Sequence, residues 1–144
     1  MFLGSVKEAE SYGANVLMVY TGAPQNTRRK EIGELRIDEG ISYAEKAGIR
    51  EIVIHAPYII NLGNMEKPEM FDFGVEFLAK EVKRAAAFHS KVLVLHPGSS
   101  LSAGVEASVE QIAKGLNLVL DADDSEVNIA PVSYTHLRAH ETRS

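Results

Sequence analysis

Two short stretches decide the fold: IVIHAP at residues 52–57 and VLVLHPG at residues 92–98. Each stretch is a continuous apolar run, rich in β-branched residues, that ends in a histidine and leads into a turn. Runs of this kind are typical of parallel strands that are covered on both faces. A polar residue that ends such a strand lies at the carboxyl edge of the sheet, where α/β folds build their sites. His55 and His96 therefore predict a functional site at this edge.

Helical and strand patterns alternate on both sides of these stretches. The predicted helices cover residues 2–12, 32–47, 68–89 and 104–120, and further strands are predicted at residues 15–20 and 126–130. This alternation gives parallel strands, and both an open doubly wound sheet and a (β/α)8 barrel fit it. A complete barrel needs about 250 residues, whereas the chain has 144. We therefore expect a barrel to be partial, with about four parallel strands, and truncated at both ends.

The composition excludes several classes of protein and of metal site. A formal net charge of -5 argues against a basic nucleic-acid coat protein, but it allows an enzyme that contacts DNA through one basic patch. The chain has no cysteine, so a metal ion would be held by imidazole and carboxylate groups. No apolar run approaches the roughly 20 residues of a membrane span, and no signal-peptide pattern is present. These features predict a cytoplasmic protein without a membrane partner.

Three loops resemble signature segments of the endonuclease IV family. They are HAPYIINLG at residues 55–63, LHPGS at residues 95–99 and YTGAPQNTRR at residues 20–29, and the resemblance extends over residues 1 to about 130. It implies a (β/α)8 TIM barrel that hydrolyses double-stranded DNA 5′ to an abasic site and leaves a 3′ hydroxyl. It also implies a cluster of three zinc ions, with His55 and His96 as ligands of the same ion, and an intact enzyme that is monomeric.

The same resemblance implies which side chains contact DNA. Tyr58 and Ile59 occupy positions where the family inserts side chains into the duplex at the lesion, and a ring and an aliphatic wedge would fill that gap. Arg28 and Arg29 belong to a dense basic run, for which we expect phosphate contacts; a solvated helix start is the alternative. Either Gln25 or Arg28 is expected to be the residue of this loop that reads the duplex.

The chain departs from the family pattern at both ends. The family's first strand, with its own histidine, would precede Met1, and the family continues from Ala130 toward a glutamate ligand where Pro131 stands here. We expect residues 131–144 to be a disordered, non-homologous tail and an artefact. We also expect the chain to supply only two of the family's zinc ligands. The chain by itself is therefore predicted to be marginally folded or aggregation-prone, and inactive as an endonuclease.

A sugar isomerase or epimerase of the xylose-isomerase-like class is the alternative to the nuclease. These enzymes share the barrel and the metal-binding edge, and they would use a metal ion to polarise a carbonyl group. The loop at residues 58–63 distinguishes the two classes. Its aromatic and aliphatic side chains suit insertion into a duplex, whereas they have no evident role against a small sugar.

Overall fold

The computed structural model describes residues 1–132, in which four α-helices alternate with four strands. The elements are α1 (Phe2–Ser11), β1 (Val16–Val19), α2 (Ile37–Lys46), β2 (Glu51–His55), α3 (Pro68–Ala87), β3 (Val92–Leu95), α4 (Val105–Ala122) and β4 (Asn128–Pro131). The predicted α/β order with about four strands is confirmed. Residues 133–144 of the predicted tail, including His136 and His140, lie outside the described residues. No helix among the described residues is long and apolar enough to cross a membrane.

The four strands form one parallel sheet in the order β1-β2-β3-β4. Val19 pairs with Ile54, Ile54 pairs with Leu93, and Leu93 pairs with Ile129. Because every strand runs in the same direction and consecutive strands are neighbours, all four carboxyl ends lie along one edge. The loops that follow β1, β2 and β3 therefore begin side by side.

The two faces of the sheet differ in how they are covered. One face carries Ile52, Ile54, Leu93 and Leu95, which are all buried in a core that also contains helical residues. Alternate strand residues point to the opposite face, where Met18 is 56% exposed. The apolar runs predicted coverage of both faces. Among the described residues the helix-packed face is covered, whereas the opposite face is covered only in part.

Helix α3 supplies the largest share of the helical side of the core. Its buried apolar residues are Phe77, Leu78, Val82 and Ala85. At the other end of the core, Phe2 of α1 lies edge-on to Phe88, with ring centroids 4.9 Å apart and an interplanar angle of 81°. These contacts join α1, α3 and the sheet into one apolar interior, which holds the strands in register.

The prediction of one continuous helix over residues 32–47 is wrong. Ile32–Leu35 form a 3₁₀ turn with a capping box between Glu31 and Glu34, and α2 starts only at Ile37. Between the two, Arg36 adopts a left-handed conformation with φ of 52°. The buried Leu35 and Ile37 lie on either side of this break, so the apolar pattern continues across it and does not reveal it.

Gly40 of α2 lies where the Phe2 ring packs, and a Cβ atom there would overlap that ring. We predict that Gly40→Ala destabilises the chain by about 1–3 kcal/mol, because the overpacked ring must move. Gly4 in α1 is the matched control, since a Cβ there meets nothing within 4 Å; Gly4→Ala should stabilise by about 0.5–1 kcal/mol. Urea unfolding measures both values, and equal effects at the two positions would contradict this packing.

Candidate functional site

The two histidines predicted from the sequence lie side by side at the carboxyl edge of the sheet. His55 is the last residue of β2, and His96 follows β3 directly. Their ring centroids are 5.1 Å apart. His55 is 6% exposed, and His96 is half-buried. The predicted proximity is confirmed, whereas the role of the two side chains as metal ligands stays a prediction.

The imidazole of His55 is held by the backbone of the next residue. Its Nδ1 lies 2.7 Å from the carbonyl oxygen of Ala56. A carbonyl oxygen only accepts hydrogen bonds, so Nδ1 donates and Nε2 carries the lone pair of the neutral ring. Metal-ligating histidines are commonly fixed in this way, with one nitrogen bonded to a carbonyl and the other turned to the metal.

The imidazole of His96 is suited to the same chemistry. Burial lowers the pKa of His96 below its ordinary value of 6.5, and the neighbouring His55 lowers it further. His96 is therefore neutral near pH 7, which is the form that binds a metal ion. His96 thus presents a neutral imidazole to the same small region as the ring of His55.

The donor set fits part of a zinc site. Zinc in proteins takes three or four protein ligands, and neutral imidazole is one of its preferred donors. Among residues 1–132, however, no group of three or more histidine, cysteine, aspartate or glutamate side chains is placed to hold a metal ion. His55 and His96 therefore account for two ligands, and the described residues do not complete the set.

Two tyrosine rings complete an aromatic cluster around the histidines. Tyr58, which is 59% exposed, lies with its ring centroid 5.3 Å from that of His96 and 5.7 Å from that of His55. Tyr20 follows β1 and lies 4.9 Å from His55. Ile59 is half-buried and packs against the core. Of the two predicted insertion residues, Tyr58 is therefore the one that the structure presents to solvent.

Tyr20 was not predicted as a site residue, although the sequence contains a signal for it. It comes directly after the apolar run of β1, as His96 comes after that of β3. The pairing of Val19 with Ile54 brings Tyr20 level with His55. A polar aromatic residue at a third strand end could therefore have been added to the predicted site on the same argument.

One asparagine joins the loop after β2 to the loop after β3. Asn61 Oδ1 accepts hydrogen bonds from the backbone N–H groups of Gly63 at 3.1 Å and Ser99 at 3.2 Å. Gly98 has φ of 125°, and a Cβ atom there would overlap Asn61 Oδ1. Asn61 thus holds the backbone of both loops, and the close approach explains why glycine stands at position 98.

A cleft of about 590 Å³ opens beside His96, between these two loops and the first turns of α4. Its walls include Tyr58, Asn61, Ser99 and Ser108. The cleft therefore offers room for a ligand next to the pair of histidines, with polar groups on its walls.

The loop at residues 21–30, which follows β1, presents two of its three predicted DNA-contact residues. Gln25 and Arg28 are exposed. The Arg29 side chain is only 10% exposed, its Nε donates to Glu81 Oε1 at 2.7 Å, and its guanidinium lies 5.0 Å from the Phe77 ring centre. This placement corrects the predicted phosphate contact of Arg29, because the side chain is turned inward and its Nε and Nη1 bond groups inside the protein.

Comparison with known proteins agrees with this geometry. The family model described as "xylose isomerase-like TIM barrel" matches residues 6–131. A probable endonuclease 4 from Lachnoclostridium phytofermentans is 59% identical over 122 residues, which are 85% of this chain and 41% of that protein. Another, from Exiguobacterium sibiricum, is 56% identical over 131 residues, covering 90% and 44%. The chain thus spans less than half the length of these curated relatives.

Solved structures show the same likeness. Endonuclease IV from Thermus thermophilus superposes with a TM-score of 0.71 at 26% identity, covering 83% of this chain and 41% of that chain. D-psicose 3-epimerase gives a TM-score of 0.67 at 17% identity, covering 90% and 45%; at that identity the likeness shows the fold alone. The chain belongs to the xylose isomerase-like TIM barrel family, and it is similar to the N-terminal part of proteins named probable endonuclease 4 over less than half of their length.

Proposed function

We propose that this chain is part of a zinc-dependent DNA-repair endonuclease, which hydrolyses the phosphodiester bond 5′ to an abasic site and leaves a 3′ hydroxyl. The observation that carries the proposal is the pair of imidazoles, 5.1 Å apart at the carboxyl edge, with the exposed Tyr58 ring beside both. The names of the curated relatives support it. The proposed enzyme acts as a monomer in the cytoplasm.

In this proposal His55 and His96 hold one zinc ion. Zinc, when bound, supplies a nucleophile at neutral pH and stabilises negative charge on the scissile phosphate. The Ala56 carbonyl fixes the tautomer and the ring direction of His55. Asn61 keeps the loops after β2 and β3 at a fixed separation, so that the two imidazoles stay together.

The DNA contacts in this proposal come from the loops after β1 and β2. Tyr58 and Ile59 fill the space left by the missing base and hold the strand bent. Arg28 contacts a backbone phosphate, and either Gln25 or Arg28 is the residue of its loop that reads the duplex. All of these residues follow the carboxyl ends of neighbouring strands, so a duplex lying along this edge would reach them together.

The chain by itself is proposed to lack incision activity. Its described residues provide two imidazoles to the metal site, and catalytic zinc sites need at least three protein ligands. An isomerase or epimerase remains the second candidate on fold alone, and the exposed aromatic ring of Tyr58 gives it no support. Activity is therefore best tested with the remaining ligands supplied by a relative.

A chimera provides such a test. The aligned segment of this chain replaces its counterpart in the Lachnoclostridium phytofermentans protein, which is 59% identical over 122 residues. We predict that the chimera incises a duplex containing a tetrahydrofuran abasic site and leaves a 3′ hydroxyl. His55→Asn and His96→Asn should each reduce the rate by at least about 100-fold, since loss even of a partner behind a ligand costs 10–100-fold.

His89→Asn is the matched control for these two variants. His89 is exposed and precedes β3, at the opposite edge of the sheet, and asparagine tolerates its φ of 57°. The control should incise at the rate of the unsubstituted chimera. The proposal would be contradicted if the chimera with both His55→Asn and His96→Asn kept the full incision rate. It would also be contradicted if the chimera epimerised ketoses and left DNA intact.

Tyr58 should decide recognition of the lesion. We predict that Tyr58→Ala in the chimera weakens binding of the abasic duplex about tenfold, in the range that loss of base–aromatic stacking produces, and leaves binding of an intact duplex nearly unchanged. Tyr58→Phe should keep the preference. Fluorescence anisotropy measures both affinities, and Tyr12→Ala, at a ring that is 77% exposed at the end of α1, is the control. Equal losses for both duplexes would refute the role in lesion recognition.

A further inference from the structure

Three charged side chains lie beneath the loop at residues 21–30. Glu81 is fully buried and Arg84 is 7% exposed; both belong to α3, and Arg29 reaches Glu81 from the loop. Burial of charged groups is costly unless they are paired and hydrogen-bonded. A buried cluster of two guanidinium groups and one carboxylate next to a candidate DNA-contact loop therefore requires a structural or functional reason.

Arg84 binds the loop at both of its ends. Its Nη2 donates to the carbonyl oxygen of Thr21 at 2.8 Å, and its Nη1 donates to that of Lys30 at 2.8 Å. One guanidinium group on a rigid helix thus fixes the distance between the first and the last residue of the loop. Because the guanidinium is planar, it also fixes the angle between the two chain segments.

Thr21 joins Arg84 to Glu81. Its Oγ1 accepts a hydrogen bond from Arg84 Nε at 2.9 Å and donates one to Glu81 Oε2 at 2.9 Å. The other oxygen of Glu81 accepts from Arg29 Nε at 2.7 Å. Glu81 therefore connects the start of the loop with Arg29 near its end, and both of its carboxylate oxygens are used.

Arg29 contacts the backbone of its own loop from the inside. Its Nη1 lies at hydrogen-bond distance, 3.0–3.2 Å, from the carbonyl oxygens of Ala23, Asn26 and Arg28. A Cβ atom at Gly22 would overlap the Arg29 side chain, so the chain passes directly over the guanidinium. The turn that carries the exposed Gln25 and Arg28 is thus wrapped around the Arg29 side chain.

We propose that Thr21, Arg29, Glu81 and Arg84 form a clamp that fixes the 21–30 loop in the shape that presents Gln25 and Arg28 to DNA. Arg29 is then a positioning residue, which acts on DNA binding through the loop. The clamp preorganises the loop in the absence of DNA, so that DNA binding does not incur the entropy cost of ordering the loop. The inference rests on the proposed function for its DNA-binding part, whereas the clamp itself is a property of the chain.

Two substitutions that leave net charge unchanged test the clamp. Arg29→Lys removes the guanidinium fork, and Thr21→Val removes the hydroxyl group that joins Glu81 to Arg84. In the 144-residue chain, both should speed hydrogen exchange of the Asn26 and Arg28 amides, which donate hydrogen bonds within the loop, at least tenfold. In the chimera, both should weaken abasic-duplex binding by comparable factors and leave the slope of log affinity against log salt concentration unchanged.

Three further variants separate this role from others. Thr21→Ser keeps the hydroxyl and should restore wild-type exchange and affinity. Arg36→Lys, at an exposed ion pair with Glu39, should change neither. Arg28→Met, at the proposed direct contact, should weaken binding and reduce the salt slope by about 0.9, as expected for one lost phosphate contact, with exchange unchanged.

The outcomes distinguish the clamp from the proposed function. Unchanged exchange in both Arg29→Lys and Thr21→Val overturns the clamp. Weaker binding with Arg29→Lys and wild-type binding with Thr21→Val overturns the positioning role, since Arg29 would then contact DNA itself. If the unsubstituted chimera binds no abasic duplex, the proposed function fails, and the exchange rates still decide whether the clamp exists.

Discussion

The parallel register between β2 and β3 is the constraint on which the candidate site depends. It pairs Ile54 with Leu93 and His55 with Val94, so that His55 and His96 leave the sheet at one edge. A slip of the register by one residue would turn every side chain of a strand to the opposite face, and the histidine would then point into the helix-packed core. The burial of Ile54 and Leu93 therefore determines where the imidazoles lie.

Hydrogen bonds in the loops fix the side chains and the loop backbones around the strand ends. The Ala56 carbonyl orients His55, and Asn61 holds the loop after β2 against the loop after β3 through the N–H of Ser99. On the other side of His55, Arg84 holds the ends of the loop after β1. Each loop is thus fastened at a few polar contacts to a neighbouring loop or helix, whereas the strands are held by apolar packing.

Local sequence patterns predicted most of the fold and the centre of the site. The apolar runs before His55 and His96 were enough to predict parallel strands and their shared edge, because strand ends and alternation are local properties. The left-handed turn at Arg36 was not predictable in this way, since the apolar pattern continues through it. The inward direction of the Arg29 side chain was also not predictable from local sequence, because it depends on Glu81, which is 52 positions away in the chain. Arg28 and Arg29 look alike in sequence, and only the fold separates the exposed side chain from the buried one.

The most direct test of the account is a zinc anomalous difference map from zinc-soaked crystals of the chimera that carries this chain's segment. We predict a peak between the two imidazoles, with zinc about 2.0–2.1 Å from His55 Nε2 and from a ring nitrogen of His96. The Nδ1 of His55 should keep its hydrogen bond to the Ala56 carbonyl. A map with zinc bound elsewhere in the barrel, and with neither His55 nor His96 within bonding distance of a peak, would contradict the central claim.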